Sequence, residues 1–199
     1  MRLLTAVALS TVLFAGQAAN ERKLTKEQGE QFQTKLGRIV KTGETPRSKS
    51  RAAQSTQITD AELNSYLRFQ AADQVPSGIV DPMINAEGES KVSGSATVDL
   101  DAVRKQKQRG WLDPMGYLTG RLPLTARGRL VTQNGVGRFE LESAELSGVT
   151  IPKTLLQELL TFYSKTPEDA DGINMDDPFP LPAQIQEIRV APGTATIVQ

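Results

Sequence analysis

Three segments between Val92 and Leu146 carry apolar residues at every second position, and this alternation restricts the fold more than any other feature of the chain. Val92, Gly94, Ala96, Val98 and Leu100 fall on one side of a first extended segment, with Lys91, Ser93, Ser95, Thr97 and Asp99 on the other. A second segment puts Leu118, Gly120, Leu122, Leu124, Ala126, Gly128 and Leu130 opposite Thr119, Arg121, Thr125, Arg127 and Arg129. A period of two is that of a strand with one buried and one wet face, as in an antiparallel sheet. Gln133-Asn134-Gly135 is a hairpin signal, because a type I′ turn needs positive φ at both central residues. The return strand carries Gly137, Phe139 and Leu141, then changes phase to Ala144 and Leu146, which predicts a bulge near Ser143.

The remaining elements follow from shorter signals. Thr59-Asp60-Ala61-Glu62 reads as a capping box, and Leu63, Tyr66 and Leu67 after it make a helical stripe. Ile79-Val80 and Met83-Ile84 predict a strand interrupted by Asp81-Pro82, where proline implies an edge or a bulge. Asp101 to Gln108 reads as a short helix. Pro152 opens a longer one, whose Leu155, Leu156, Leu159, Leu160, Phe162 and Tyr163 form a broad apolar face. Ile185–Val190 and Thr194–Val198 flank Pro192-Gly193 as a closing hairpin. Each strand pair is joined by a tight turn, so the class is α+β: a curved antiparallel sheet of about six strands with helices packed on one face.

Three segments are predicted along the chain. Arg2, the apolar run Leu3–Phe14 and the small residues of Ala15-Gly16-Gln17-Ala18 describe a signal peptide over 1–18. A buried N-terminal helix and a retained anchor are the alternatives, although the run falls short of the roughly 20 residues of a membrane span. The leader implies export, to the periplasm or the medium. Residues 19–57 read as a basic, mobile extension with at most one loosely attached helix over 24–41; 42–57 have little to bury and resemble a linker. Residues 58–199 form a single α+β domain, so a stable unit is expected to begin near Ile58.

The 199 residues include neither His nor Cys, and their 23 basic and 23 acidic side chains balance. No Ser-His-Asp triad, Cys-His pair, zinc ribbon, iron–sulfur cluster or disulfide is available. Zero net charge argues against a nucleic-acid partner. The balance is uneven along the chain: residues 20–57 hold nine Lys/Arg and four Asp/Glu, and 161–199 hold two and six. A calcium site in the acidic Glu168–Asp177 region would need ligand spacing that Glu168-Asp169-Ala170-Asp171-Gly172 lacks, so a solvated loop is expected. Asp99 and Asp101 are two apart, but one lies on the wet strand face and the other starts a turn. A carboxylate-based hydrolase would require two buried acids facing a pocket. No catalytic residue, metal or cofactor is therefore assigned, and the chain is not expected to be an enzyme.

The segment Ile58-Thr59-Asp60-Ala61-Glu62-Leu63-Asn64-Ser65-Tyr66-Leu67, and the later Leu146-Ser147-Gly148-Val149-Thr150-Ile151-Pro152 followed by Leu155-Leu156, resemble stretches of bacterial envelope proteins of the YpmS-like and LmeA-like groups. The resemblance covers roughly 58–199. It implies a tubular lipid-binding (TULIP-like) module, in which a curved sheet wraps an apolar helix and a phospholipid or other acyl lipid occupies the groove. Leu63, Tyr66, Leu67, Leu155, Leu159 and Phe162 would supply the apolar contacts of such a groove, with a plain core as the alternative that periodicity alone does not separate. Arg121, Arg127 and Arg129 would meet a headgroup if their strand face borders the groove opening. A transient contact with a membrane surface would accompany loading. The rival expectation is a non-catalytic structural or protein-interaction module of the envelope that uses a sheet edge or the basic tail.

Overall fold

The computed structural model describes residues 23–45, 53–76, 78–102, 120–165 and 171–199. The predicted leader, most of the short helix after Asp101, and the acids Glu168 and Asp169 lie outside the described residues. In chain order the elements are α1 (Lys26–Glu44), β1 (Ser55–Thr59), α2 (Asp60–Phe69), β2 (Ile79–Gly88), β3 (Lys91–Asp99), β4 (Arg121–Gln133), β5 (Val136–Leu146), β6 (Val149–Thr150), α3 (Lys153–Ser164), β7 (Phe179–Pro180), β8 (Glu187–Ala191) and β9 (Thr194–Val198).

The fold is α+β, and its larger sheet is antiparallel, six-stranded and not closed into a barrel. Its order is β2-β3-β4-β5-β6, with β7 also paired to β5. The alternation sets its register: Val92, Gly94, Ala96 and Val98 of β3 stand opposite Gly128, Ala126, Leu124 and Leu122 of β4. The β4–β5 turn takes the expected form, with Asn134 at φ 52° and Gly135 at φ 80°. The bulge falls where the phase changes: Arg127 pairs with Ser143 and Gly128 with Leu141, leaving Glu142 over. β2 is an edge strand with a register shift between Val80 and Met83, which accommodates Pro82.

The closing hairpin departs from expectation. β8 and β9 do not extend the large sheet; they join β1 in a separate three-stranded sheet of order β1-β9-β8. β1 pairs residue for residue with β9, from Ser55 opposite Val198 to Thr59 opposite Thr194.

This pairing also corrects the expected basic, mobile extension over 19–57. Residues 55–57 are strand, and α1 is part of the core. Phe32 and Ile39 of α1 are buried with Ile58, Ile185 and Ile197, and Leu36, Leu63 and Tyr66 pack around them. The physical reason is spacing: Phe32, Leu36 and Ile39 lie at i, i+4, i+7, a stripe narrow enough to be missed among charges but wide enough to cover a three-stranded sheet. A capping box starts α1. Gln28 N–H donates to Thr25 Oγ1 at 3.3 Å, and Thr25 N–H to Gln28 Oε1 at 3.2 Å. At Gly29 a Cβ would meet the end of the Gln70 side chain, which lies against the helix there. At the other end of the helix, Gln199 Nε2 donates to Ile39 O at 2.8 Å and to Ala183 O at 2.6 Å.

The capping box of α2 is present: Glu62 N–H donates to Thr59 Oγ1 at 3.1 Å, and Thr59 N–H to Glu62 Oε2 at 2.9 Å. Glu62 also receives Lys35 of α1, whose Nζ lies 2.7 and 2.8 Å from its two oxygens and donates to Gln57 O at 2.8 Å. One buried carboxylate thus ties α1, β1 and α2 together. Burial pushes the Glu62 carboxyl up, but Lys35 and the Thr59 N–H outweigh it and leave it below the ordinary glutamate value of 4.5.

Two predictions follow from this core. A chain beginning at Ile58 loses both α1 and the Ser55–Gln57 pairing, so it should show no cooperative thermal transition, where the chain with 23–57 does. A carboxyl held below its unfolded value stabilises the fold above that value and ceases to do so as pH falls through the folded pKa. Urea unfolding should therefore show stability declining below about pH 4.5, and Lys35→Met should flatten this part of the profile.

Candidate functional site

Registered partners in an antiparallel sheet share a face. Leu122, Leu124, Ala126, Gly128 and Leu130 of β4 therefore lie side by side with Val98, Ala96, Gly94 and Val92 of β3. On the other flank stand Leu146, Ala144, Leu141 and Phe139 of β5. The result is a continuous apolar face across three strands. Ala144 and Gly128 are buried, while the leucines, the valines and Phe139 stay only partly covered. Two glycines shape its floor. A Cβ on Gly128 would come within 2.6 Å of the Phe139 ring, so the absent side chain lets that ring lie across the strand. A Cβ on Gly94 would meet nothing nearer than Met83 O at 3.7 Å, so the floor there is recessed and open.

α3 lies beside β5. None of its described side chains is buried, and Leu155 is 41% exposed. Leu156 and Leu160 are partly covered. Polar contacts anchor the helix to the following loop. Gln157 Nε2 donates to Ile173 O at 3.0 Å, Gln157 Oε1 accepts from Met175 N–H at 2.8 Å, and Lys153 pairs with Asp176. Asp176, from the acidic region weighed as a calcium site, is thus one half of an ion pair.

The structure distributes the nominated lining residues over separate places. Leu63 and Tyr66 pack on the core of the smaller sheet, with the Tyr66 ring 4.8 Å from that of Phe32. They are structural because α1 covers them. Leu67 is turned the other way, toward a small cleft with Val75 and Ile79. Leu155 faces solvent in part, and the side chains of Leu159 and Phe162 lie outside the described residues. The expected single groove lined by both helices is therefore not assembled from Leu63 and Tyr66.

The arginines are also on the wrong side for a groove on the apolar face. Arg121, Arg127 and Arg129 alternate with the leucines of β4, so period two sends them to the outer face, where all three are exposed. Arg121 Nε is 3.0 Å from Asp99 and Arg127 Nε 3.5 Å from Glu87, while Arg129 sits opposite Lys91 and Glu140. The Asp99 carboxyl accepts from Ala102 N–H at 3.0 Å and from Arg121, and both interactions hold it below the usual aspartate value. Asp101 accepts from Gly120 N–H at 3.3 Å.

Inspection for apolar stripes overlooks the polar side of α2. Asp60 and Asn64, four residues apart, face the free edge of β2. Asn64 is 2% exposed; its Nδ2 donates to Ile84 O at 2.7 Å and its Oδ1 accepts from Ile84 N–H at 2.8 Å. Asp60 accepts from Ala86 N–H at 3.1 Å. The detectable signal was the i, i+4 spacing of two short polar residues inside an apolar stripe. Truncating Asn64 removes both partners of the Ile84 backbone, each hydrogen bond contributing about 0.5–1.5 kcal/mol. Asn64→Leu should accordingly lower the unfolding free energy by about 1–3 kcal/mol in urea titration, despite adding apolar volume.

No protein-family model and no curated protein matches the chain. Among solved structures it is similar to one described as the crystal structure of lipopolysaccharide binding protein, at 15% identity and a TM-score of 0.23, over 78% of this chain and 45% of that one. The chain thus spans less than half of that structure. At such a score the two folds are not equivalent, and nothing about a ligand passes from one to the other.

Proposed function

We propose that the protein is an exported, non-catalytic lipid-binding protein of the bacterial envelope, which holds an acyl chain of a phospholipid or other lipid against the apolar face of the six-stranded sheet, with α3 as its flank. The observation that carries this reading is the incomplete burial of that face. Leu122, Leu124, Leu130, Leu141 and Leu146 are all partly accessible, although they occupy the inward positions of their strands. A monomeric fold gains by covering such positions, and each acyl methylene buried on them contributes roughly 0.8 kcal/mol. The polar attachment of α3 supports the same reading, since a helix held by Gln157 and Lys153 can shift over the sheet without losing a packed core. The predicted leader supports export.

Native mass spectrometry and lipid extraction of the protein purified from its own host test this directly. Copurified lipid is expected in substoichiometric or full occupancy. Leu124→Asp places a charge at the centre of the face and should reduce lipid loading by about tenfold or more. The melting temperature should change little, because the site is already wet. Undiminished loading in Leu124→Asp would remove the sheet face as the site. Absence of lipid from the unmodified protein would favour the structural or interaction module instead.

A further inference from the structure

A second concave region lies along α2 and the β2 edge. A cleft of about 910 Å³ runs along α2 and is bordered by Lys23, Asp60, Asn64, Arg68, Met83 and Asn85. A smaller recess of about 210 Å³ adjoins it, walled by Leu67, Ala72, Val75, Ile79, Val80 and Pro82. Leu24, Arg68 and Met83 border both, so the two are continuous. The larger volume is in the range of small-molecule sites.

The two parts differ in chemistry. The recess is apolar apart from Arg68 at the junction and Asp81, which is exposed. In the larger part, the polar side chains of Asp60 and Asn64 already bind the Ala86 and Ile84 backbone. Lys23 and Arg68 are different: among the described residues neither is joined to a carboxylate. Arg68 is exposed, and its guanidinium carbon lies 5.9 Å from the Phe69 ring centroid. Two cations that form no described ion pair thus stand beside an apolar recess, with the carboxylates of Asp60, held by the Ala86 N–H, and of Asp81 also on the rim.

We propose that this paired cleft is a second binding site, for an amphiphile carrying one anionic headgroup, carboxylate or phosphate, on a single short alkyl chain. The headgroup sits between Lys23 and Arg68, where the guanidinium fork binds either oxyanion with charge-assisted hydrogen bonds. The alkyl chain enters the recess between Leu67, Val75 and Ile79. A recess of about 210 Å³ admits one chain and excludes a second. This site shares no residue with the sheet face, so it stands or falls independently of the function proposed above.

Isothermal titration of the full chain with decyl phosphate, decanoate, decanol and inorganic phosphate tests it, at concentrations below micelle formation. Decyl phosphate and decanoate should bind, and the tighter of the two identifies the headgroup. Decanol should bind about tenfold more weakly, and inorganic phosphate should not displace the amphiphile. Arg68→Gln should lower the affinity for the charged amphiphiles about tenfold while leaving decanol unchanged. Ala72→Phe should block the recess to all three decyl ligands. Leu124→Asp should remove any decyl binding at the sheet face and leave the Arg68-dependent component unchanged. The proposal is overturned if no amphiphile binds, if Arg68→Gln binds decyl phosphate as before, if inorganic phosphate competes on equal terms, or if Leu124→Asp abolishes binding. Arg68 and Ala72 are both exposed, so each variant is expected to fold, and circular dichroism checks that it has.

Discussion

The arrangement depends on how the free edge of β2 is closed. An edge strand offers unpaired N–H and C=O groups that must find partners or become a template for association. Here the partners are side chains. Asn64 bonds both backbone groups of Ile84, and Asp60 takes the Ala86 N–H. The Ala86 carbonyl accepts from Gly193 N–H of the β8–β9 turn at 2.8 Å, and Asp60 N–H donates to Gly193 O at 3.1 Å. The edge of one sheet is therefore sealed by a helix and by the turn of the other sheet. That closure fixes where α2 lies, and α2 in turn positions α1 through Tyr66, Ser65 and Glu62.

A second clamp reinforces the first. The Thr132 hydroxyl donates to Ile188 O at 3.1 Å and accepts from Ile188 N–H at 2.8 Å, tying β4 to β8 as Asn64 ties α2 to β2. Both clamps use a short polar side chain to imitate a strand partner. Together they bring two antiparallel sheets into one fold without a shared ladder. The smaller sheet is covered by α1 and α2, and its isoleucines are buried. The larger sheet receives no equivalent layer from these helices, since α2 is occupied at its edge. This division leaves the leucine face of β4 half covered.

Much of this was legible from local patterns. The strands β3, β4 and β5, their register, the Asn134-Gly135 turn, the bulge beside Ser143 and the α2 capping box all depend on contacts within a few residues or between adjacent strands. α1 was read too weakly. Phe32, Leu36 and Ile39 form a thin stripe in a segment that also holds Gly29 and Gly37, both poor helix formers. Neither penalty weighs much beside the burial of Phe32 and Ile39. β1 is hidden because Ser55-Thr56-Gln57 has no apolar alternation and its partner β9 lies about 140 residues away.

The amino-acid sequence by itself determined which face of each strand is apolar, where the chain turns, and that neither thiol nor imidazole chemistry is available. Period two and the absence of His and Cys are local or compositional facts. The tertiary structure decided which apolar faces meet. It assigned Leu63 and Tyr66 to a core rather than a groove and sent the closing hairpin to β1 rather than to β2 or β5. These outcomes depend on long-range pairing and on two polar clamps between distant segments, which no periodicity along the chain records.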